Sequence, residues 1–304
     1  MSRHYPRLRS PYHGESRSTS TLVVIQFFMR HVHQDVRTEV VRAMDTFMEL
    51  IKPNRLVSFF DEHGYGYSVL DSEWPNIRKR TLEPAGDQYL IVQLSGEKWV
   101  GDYALEYYGV PDTTPPGKLD ARASRILFHV PLELLEEKGP GSIRALALTL
   151  AEGLPFCSGY VDLSYSDVGL IGATQPEQEV MRRYPGMHIE NNGGRSGVGV
   201  KLDGVHWMNF LGQPVLGQLG GVEGLRRKLA QPGITLEELG RDRALVTLGE
   251  WPEVGDVEAG ETLPLHRALA RVVEPYLFHK TYARTGQVHP CDEIFMRWER
   301  RFLD

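Results

Sequence analysis

The sequence predicts an α+β fold in which a mixed, largely antiparallel sheet, or more than one, packs with amphipathic helices. Three observations lead there. Apolar, β-branched and aromatic runs of strand length follow one another through turns in the first half, without the regular strand-helix alternation of a doubly wound parallel fold. Other segments place apolar residues at helical spacing. Finally, 304 residues at 41% hydrophobic and 24% charged have ordinary globular composition and enough chain for a large core.

Residues 1–20, "MSRHYPRLRSPYHGESRSTS", are rich in Arg, Ser, Pro and Gly and read as a flexible arm. Residues 21–304 read as one α+β domain, either undivided or in two lobes meeting near residues 166–200. The run "TLVVIQFFM", Thr21 to Met29, is a buried strand: Gln26 interrupts it, "RHVHQD" follows, and it lacks the small-residue cleavage site of a secretion signal. It is also too short to cross a bilayer. From Asp35 to Ile51, Val36, Val40, Val41, Met44, Phe47, Met48 and Ile51 recur at helical spacing, with Asp35 as the expected N-cap and Pro53 as the stop. "RLVSFFDEHGYGYSVLD" reads as two strands around a turn near His63 to Gly66. "QYLIVQLSG" is a strand that "DYALEYYGVP" can pair with, and "DTTPPGKLDA" is a loop by its prolines and glycine. "SRILFHVP" is a strand, Ser142 to Glu152 a helix, and "FCSGYVDLSYS" a further strand.

The second half is richer in glycine. A short helix runs into the turn-dense loop Asn191 to Gly199, then comes the strand "VHWMNFL", a short helix around Pro214 to Leu219, and "GGVEGLRRKLA" as another. "HRALARVVEPYLF" and "DEIFMRWERRFLD" are the last two amphipathic helices.

A net charge of −6 argues against a general nucleic-acid binder and makes any charged partner more plausibly basic. The two cysteines, Cys157 and Cys291, lack the spacing of a zinc site and exclude a disulfide framework. His31 and His33 form an H-x-H pair that a strand would place on one face, where Asp61, Glu62 or His63 could complete a metal site; alternatively both sit at a solvated strand end. "NNGGRSGVGVK" fails the phosphate-loop test, since Lys201 is followed by Leu202 and a strand. "HPCDE", His289 to Glu293, could be drawn as a Cys-His pair, but Asp292 is more simply the N-cap of the final helix. The carboxylates Asp61, Glu62, Asp71 and Glu73, on or near one hairpin, could serve as an acid pair or, with Asp162 and Asp167, as the candidate docking surface for a basic partner; their alternative is a plain solvated face.

The most distinctive run is "GVHWMNFLGQPVLGQLGG", in which His206 is the only ionisable side chain. Trp207, Phe210, Leu211, Val215, Leu216 and Leu219 supply bulk. Gly204, Gly212, Gly217, Gly220 and Gly221 supply turns and close approaches, and Asn209 can satisfy backbone groups at the turn. Read alone, this is packing chemistry that needs no titrating group.

"GVHWMNFLG" followed by "LGGVEGLRRKL" resembles the type VI immunity family, formerly a bacterial domain of unknown function, whose members are encoded beside type VI secretion toxins. "RRYPGMHIEN" and "EWPEVGD" agree with that resemblance, which spans most of residues 21 to 280. It implies a non-catalytic immunity protein that binds and neutralises a cognate toxin encoded by an adjacent gene, with no cofactor, no metal, and no nucleic-acid or membrane partner. Without a recognisable secretion signal the expected compartment is the cytoplasm, and the expected toxin one that acts there, such as a nuclease. A metal enzyme built on His31 and His33, and an adaptor or chaperone of a secretion assembly, are the alternatives. Oligomeric state is left open.

Overall fold

All nine residues of β1 (Thr21–Met29) are buried, because the strand lies at the centre of the sheet with both faces covered. The computed structural model describes residues 5–8, 21–54, 56–60, 66–68, 73–96, 102–165, 175–189, 197–279 and 290–304. β1 is flanked by β6 (Ser124–Pro131) and β7 (Ser158–Tyr165), both antiparallel to it. Beyond β6 lie β5 (Ala104–Gly109), β4 (Leu90–Ser95) and a hairpin of β2 (Ser58–Phe60) and β3 (Gly66–Ser68). Beyond β7 lie β9 (Met208–Leu211), β11 (Ala244–Leu248) and the edge strand β10 (Ile234–Glu238). The two-residue strand β8 (His188–Ile189) forks off β7 and makes the one parallel pairing among these eleven strands.

Register sorts side chains by alternation. Val23, Ile25, Phe27 and Met29 face one side with Ile126, Phe128, Leu105, Met208, Phe210 and Leu245, in a core that runs the width of the sheet. The helices α1 (His33–Leu50), α3 (Leu132–Lys138) and α4 (Pro140–Ala151) contribute to that core. Aromatic rings fill its centre, with Phe47 and Phe128 at 4.9 Å and Phe27 edge-on to Phe210 at 5.1 Å. Burying each such ring contributes roughly 1.5–3 kcal/mol, and Phe27→Ala would cost about 3–5 kcal/mol once the cavity is counted.

The opposite face is divided. Leu211, Ala244, Val246 and Leu248 pack with α6 (Val215–Gln218), α7 (Gly221–Lys228) and α8 (Pro264–Val273). Leu22, Val24, Phe28 and Leu127 form a smaller patch with Cys157 and Val198. Phe295 and Trp298 of α9 (Pro290–Glu299) join the first core while Phe302, just beyond that helix, joins the second. Among the described residues no helix is long and apolar enough to cross a membrane.

Several expectations change. α1 begins at His33 with Val32 as its N-cap, so Asp35 sits inside the first turn, where its charge still suits the helix dipole. The cap comes from a distant loop instead: the Gln34 N–H donates to Asp112 Oδ1 at 2.8 Å, and the Gly86 N–H to Oδ2 at 3.0 Å. α9 starts at Pro290, ahead of Asp292, which is therefore not its cap. Tyr5 to Leu8, within the expected flexible arm, are docked: Tyr5 is 8% exposed and its hydroxyl donates to the Pro252 carbonyl at 3.1 Å. The helix α2 (Trp74–Leu82), α3, β8 and the β10–β11 hairpin carry no clear sequence signal. α2 buries only Thr81, and β10 alternates half-buried with exposed residues at a sheet edge. The short helix expected before "RYPG" is α5 (Gln175–Arg183), but the loop after it, residues 190–196, lies outside the described residues.

Candidate functional site

The distinctive run builds a corner. β9 ends at Leu211, the Gly212 N–H donates to the Cys157 carbonyl at 2.9 Å, and α6 and α7 follow. Gly220, the residue before α7, has φ +90°, a left-handed conformation that costs glycine least. Asn209 ties the turn as expected: Oδ1 accepts the His206 N–H at 2.9 Å and Nδ2 donates to the His206 carbonyl at 2.6 Å. Trp207 is fully buried, and Leu219 lies in the core beneath α7.

His206 is more than packing. On β7, alternation turns Tyr160 and Asp162 to the same face as Gln26 of β1 and Asn209 of β9. His206 Nδ1 lies 3.0 Å from Asp162 Oδ2, 44 residues away in the chain. Tyr160 stacks on the His206 ring at 3.9 Å and 14°, its hydroxyl donates to Gln26 Oε1 at 2.6 Å, and it lies 3.2 Å from His188 Nε2. Burial pushes the Asp162 carboxyl well above the ordinary carboxylate range, against the pull of the Leu163 N–H, the Arg301 charge and the Trp207 N–H.

A buried histidine held by a carboxylate is the arrangement of a general base. Here Asp162 is 1% and His206 2% exposed, and the space beside His206 is about 10 Å³, enough for one water and no substrate. The cluster therefore knits β1, β7, β8 and β9 together. This corrects the place of Asp162, which cannot present a carboxylate to a docking partner.

The other predicted residues fall as follows. Glu73 is exposed, immediately before α2. Asp61, Glu62, Asp71 and Asp167 lie outside the described residues. His31 and His33 do not share a strand face: β1 ends at Met29 and His33 opens α1. Nor is His33 solvated. Its Nδ1 is 2.9 Å from the Tyr107 hydroxyl and its Nε2 2.9 Å from the Glu83 carbonyl, so both ring nitrogens have partners inside the protein. Burial lowers its pKa. Cys157 is buried and its thiol is pushed up to about 11, which suits packing rather than nucleophilic chemistry. His289 lies outside the described residues, with nothing described of the Cys291 side chain. Among the described residues no group of three His, Cys, Asp or Glu could hold a metal ion.

A second polar arrangement lies at the surface, where "RYPG" meets "EWPEVGD". Arg183 holds Asp256 with Nη2–Oδ2 at 2.8 Å and reaches Glu258 at 2.7 Å. The Gly186 N–H donates to the Val254 carbonyl at 2.8 Å, and a Cβ at position 186 would lie 2.0 Å from the Glu253 carbonyl oxygen, so only glycine fits between the segments. The Arg301 guanidinium, stacked 3.8 Å from the Trp298 ring, donates to the Pro185 carbonyl at 2.7 Å and closes the junction from just beyond α9. A run of five acids without a basic residue, Glu250 to Glu261, was the sequence signal for this surface.

The solved structure of a Pseudomonas aeruginosa T6SS protein, PA0821, is similar in fold, with a TM-score of 0.76 at 20% identity, covering 95% of this chain and 86% of that one. No curated protein matches the chain in sequence. A family model described as type VI immunity for VRR-NUC matches residues 39–302, nearly the whole sheet and every helix after α1. The chain therefore belongs to TsiV, the type VI immunity family for VRR-NUC.

Proposed function

We propose that this protein binds a cognate type VI secretion toxin of the VRR-NUC class, a nuclease acting in the cytoplasm and encoded by an adjacent gene, and neutralises it by occlusion without catalysis. The observation that carries this reading is the immunity-family match across residues 39–302. The chemistry of the chain supports it. Of the H-x-H pair on which an enzyme would rest, His33 is committed to internal partners, Tyr107 and Glu83, and the buried His206 is likewise committed to Asp162. A nuclease must offer phosphate a basic face, and a chain of net charge −6 is suited to cover such a face by charge complementarity. The exposed carboxylate of Glu73, with Asp61, Glu62, Asp71 and Asp167, remains a proposed contact set.

Co-expression with the toxin and a nuclease assay on the purified pair test this. Host rescue, a stable complex and inhibition that saturates at a fixed stoichiometry are expected. Rescue without a complex would replace occlusion by repair of the damage, and neither rescue nor binding would end the assignment for that pair.

A further inference from the structure

Beside the segment 249–263 the surface opens into a cleft of about 510 Å³. Its lining mixes polar and apolar groups: Tyr5, Pro252 and Leu263 border it with little exposed surface, and the Tyr5 hydroxyl is tied to the Pro252 carbonyl. Its rim carries Glu253 and Glu261. Segment 249–263 holds Glu250, Glu253, Asp256, Glu258 and Glu261 and no Lys, Arg or His. Asp256 and Glu258 share a single Arg183, which offsets one of their two charges. Glu261 Oε2 accepts the Asp256 N–H at 2.8 Å, which fixes its direction, and Glu253 makes no ion pair among the described residues. The backbone behind the cleft is held by the close approach at Gly186, so the shape exists before any partner arrives.

A preformed hollow of mixed polar and apolar lining with carboxylates at its mouth matches a long cationic side chain. The aliphatic stem fits the apolar part of the lining, while the charge meets the rim. We propose that this cleft receives an arginine- or lysine-bearing segment from the basic, nucleic-acid-binding face of the toxin, an inference that rests on the immunity reading above. The cleft anchors that segment through both burial and charge, so it is a contact additional to the acidic hairpin.

The test uses the full chain and the purified toxin. Glu253→Lys with Glu261→Lys is compared with Glu49→Lys with Glu152→Lys, an equal change of charge at exposed positions elsewhere. The cleft pair is expected to weaken toxin binding by about 30-fold or more and the control pair by less than about 3-fold, the range of close charge pairs at an interface against distant ones. Equal losses in the two pairs, or none, would overturn the proposal. Should the wild-type chain not bind the toxin, the immunity reading fails. The cleft is then judged by titrating a nona-arginine peptide while following the backbone amides of Val254, Gly255 and Thr262. Shifts at those amides that vanish in Glu253→Gln with Glu261→Gln support the site; shifts that are absent, or that persist in the Gln pair, refute it. A gain of about 10-fold in peptide affinity in Arg9→Ala with Arg17→Ala would make the occupant this chain's own arm and overturn a toxin contact.

Discussion

The buried cluster around Tyr160, Asp162 and His206 and the open cleft beside Glu253 and Glu261 are both polar, and they differ in almost everything else. The first holds the residue types of an active site in good geometry, yet Asp162 is 1% exposed and the adjoining space is about 10 Å³. The second holds no catalytic pattern, yet it offers about 510 Å³ and carboxylates at a solvent boundary. The difference teaches that access, more than residue type, separates a group that stabilises the fold from one that can meet a partner. If the protein neutralises its toxin by binding, as proposed, the polar groups that matter to the partner must leave water only when the partner arrives.

The sharpest way to break this comparison is Asp162→Ala. Removing the carboxyl leaves the buried His206 Nδ1 without its partner, so unfolding free energy should fall by roughly 1–3 kcal/mol, read as a lower denaturant midpoint. Toxin neutralisation by the protein that remains folded should be unchanged. A variant of normal stability that failed to neutralise would make the cluster functional and erase the contrast.

His266 on α8 extends the comparison to pH. It is 1% exposed, neither ring nitrogen has a hydrogen-bond partner among the described residues, and burial together with the Arg301 charge brings its pKa down from 6.5 to about 3. A depressed histidine contributes stability that is fully present above pH 6.5 and is lost as pH falls toward 3, because the unfolded chain takes up the proton first. The loss by about pH 4 should be about 3 kcal/mol, and His266→Leu should flatten this acid limb in unfolding titrations.

Gly186→Ala joins the two regions. Its Cβ would lie 2.0 Å from the Glu253 carbonyl oxygen, so the backbone behind the cleft must move. A stability loss of about 1–3 kcal/mol is expected, with weaker toxin binding in proportion to the distortion of the rim. Normal binding in a destabilised variant would separate the cleft from its support. The smallest effect belongs to Glu73→Lys, which should change stability by less than about 0.5 kcal/mol and alter the salt dependence of toxin association, measured by stopped flow, only if the hairpin is in contact.

Some of this was legible in particular residues. Thr21–Met29 and Ser124–Pro131 read as strands because their apolar, β-branched runs fit no exposed element. Asp35 to Ile51 was helical by its repeat even though the cap was misplaced, since the actual cap is the Asp112 carboxylate from another loop. The Asn209 turn was readable because its partners lie within three residues. α2 and β10 were not, because edge elements bury too little to imprint a pattern.

Asp162 marks the limit most clearly. The alternation in "SGYVDLSY" put Tyr160, Asp162 and Ser164 on one face, but it could not tell whether that face met solvent or more protein. By itself the sequence determined what nearest neighbours along the chain decide: composition, the period of each strand and helix, local turns, and the motif that relates the chain to its family. The tertiary structure alone decided the strand order, the enclosure of the Asp162–His206 pair and the opening beside Glu253. Burial is set by whatever packs over a face, and here the covering chain comes from dozens of residues away.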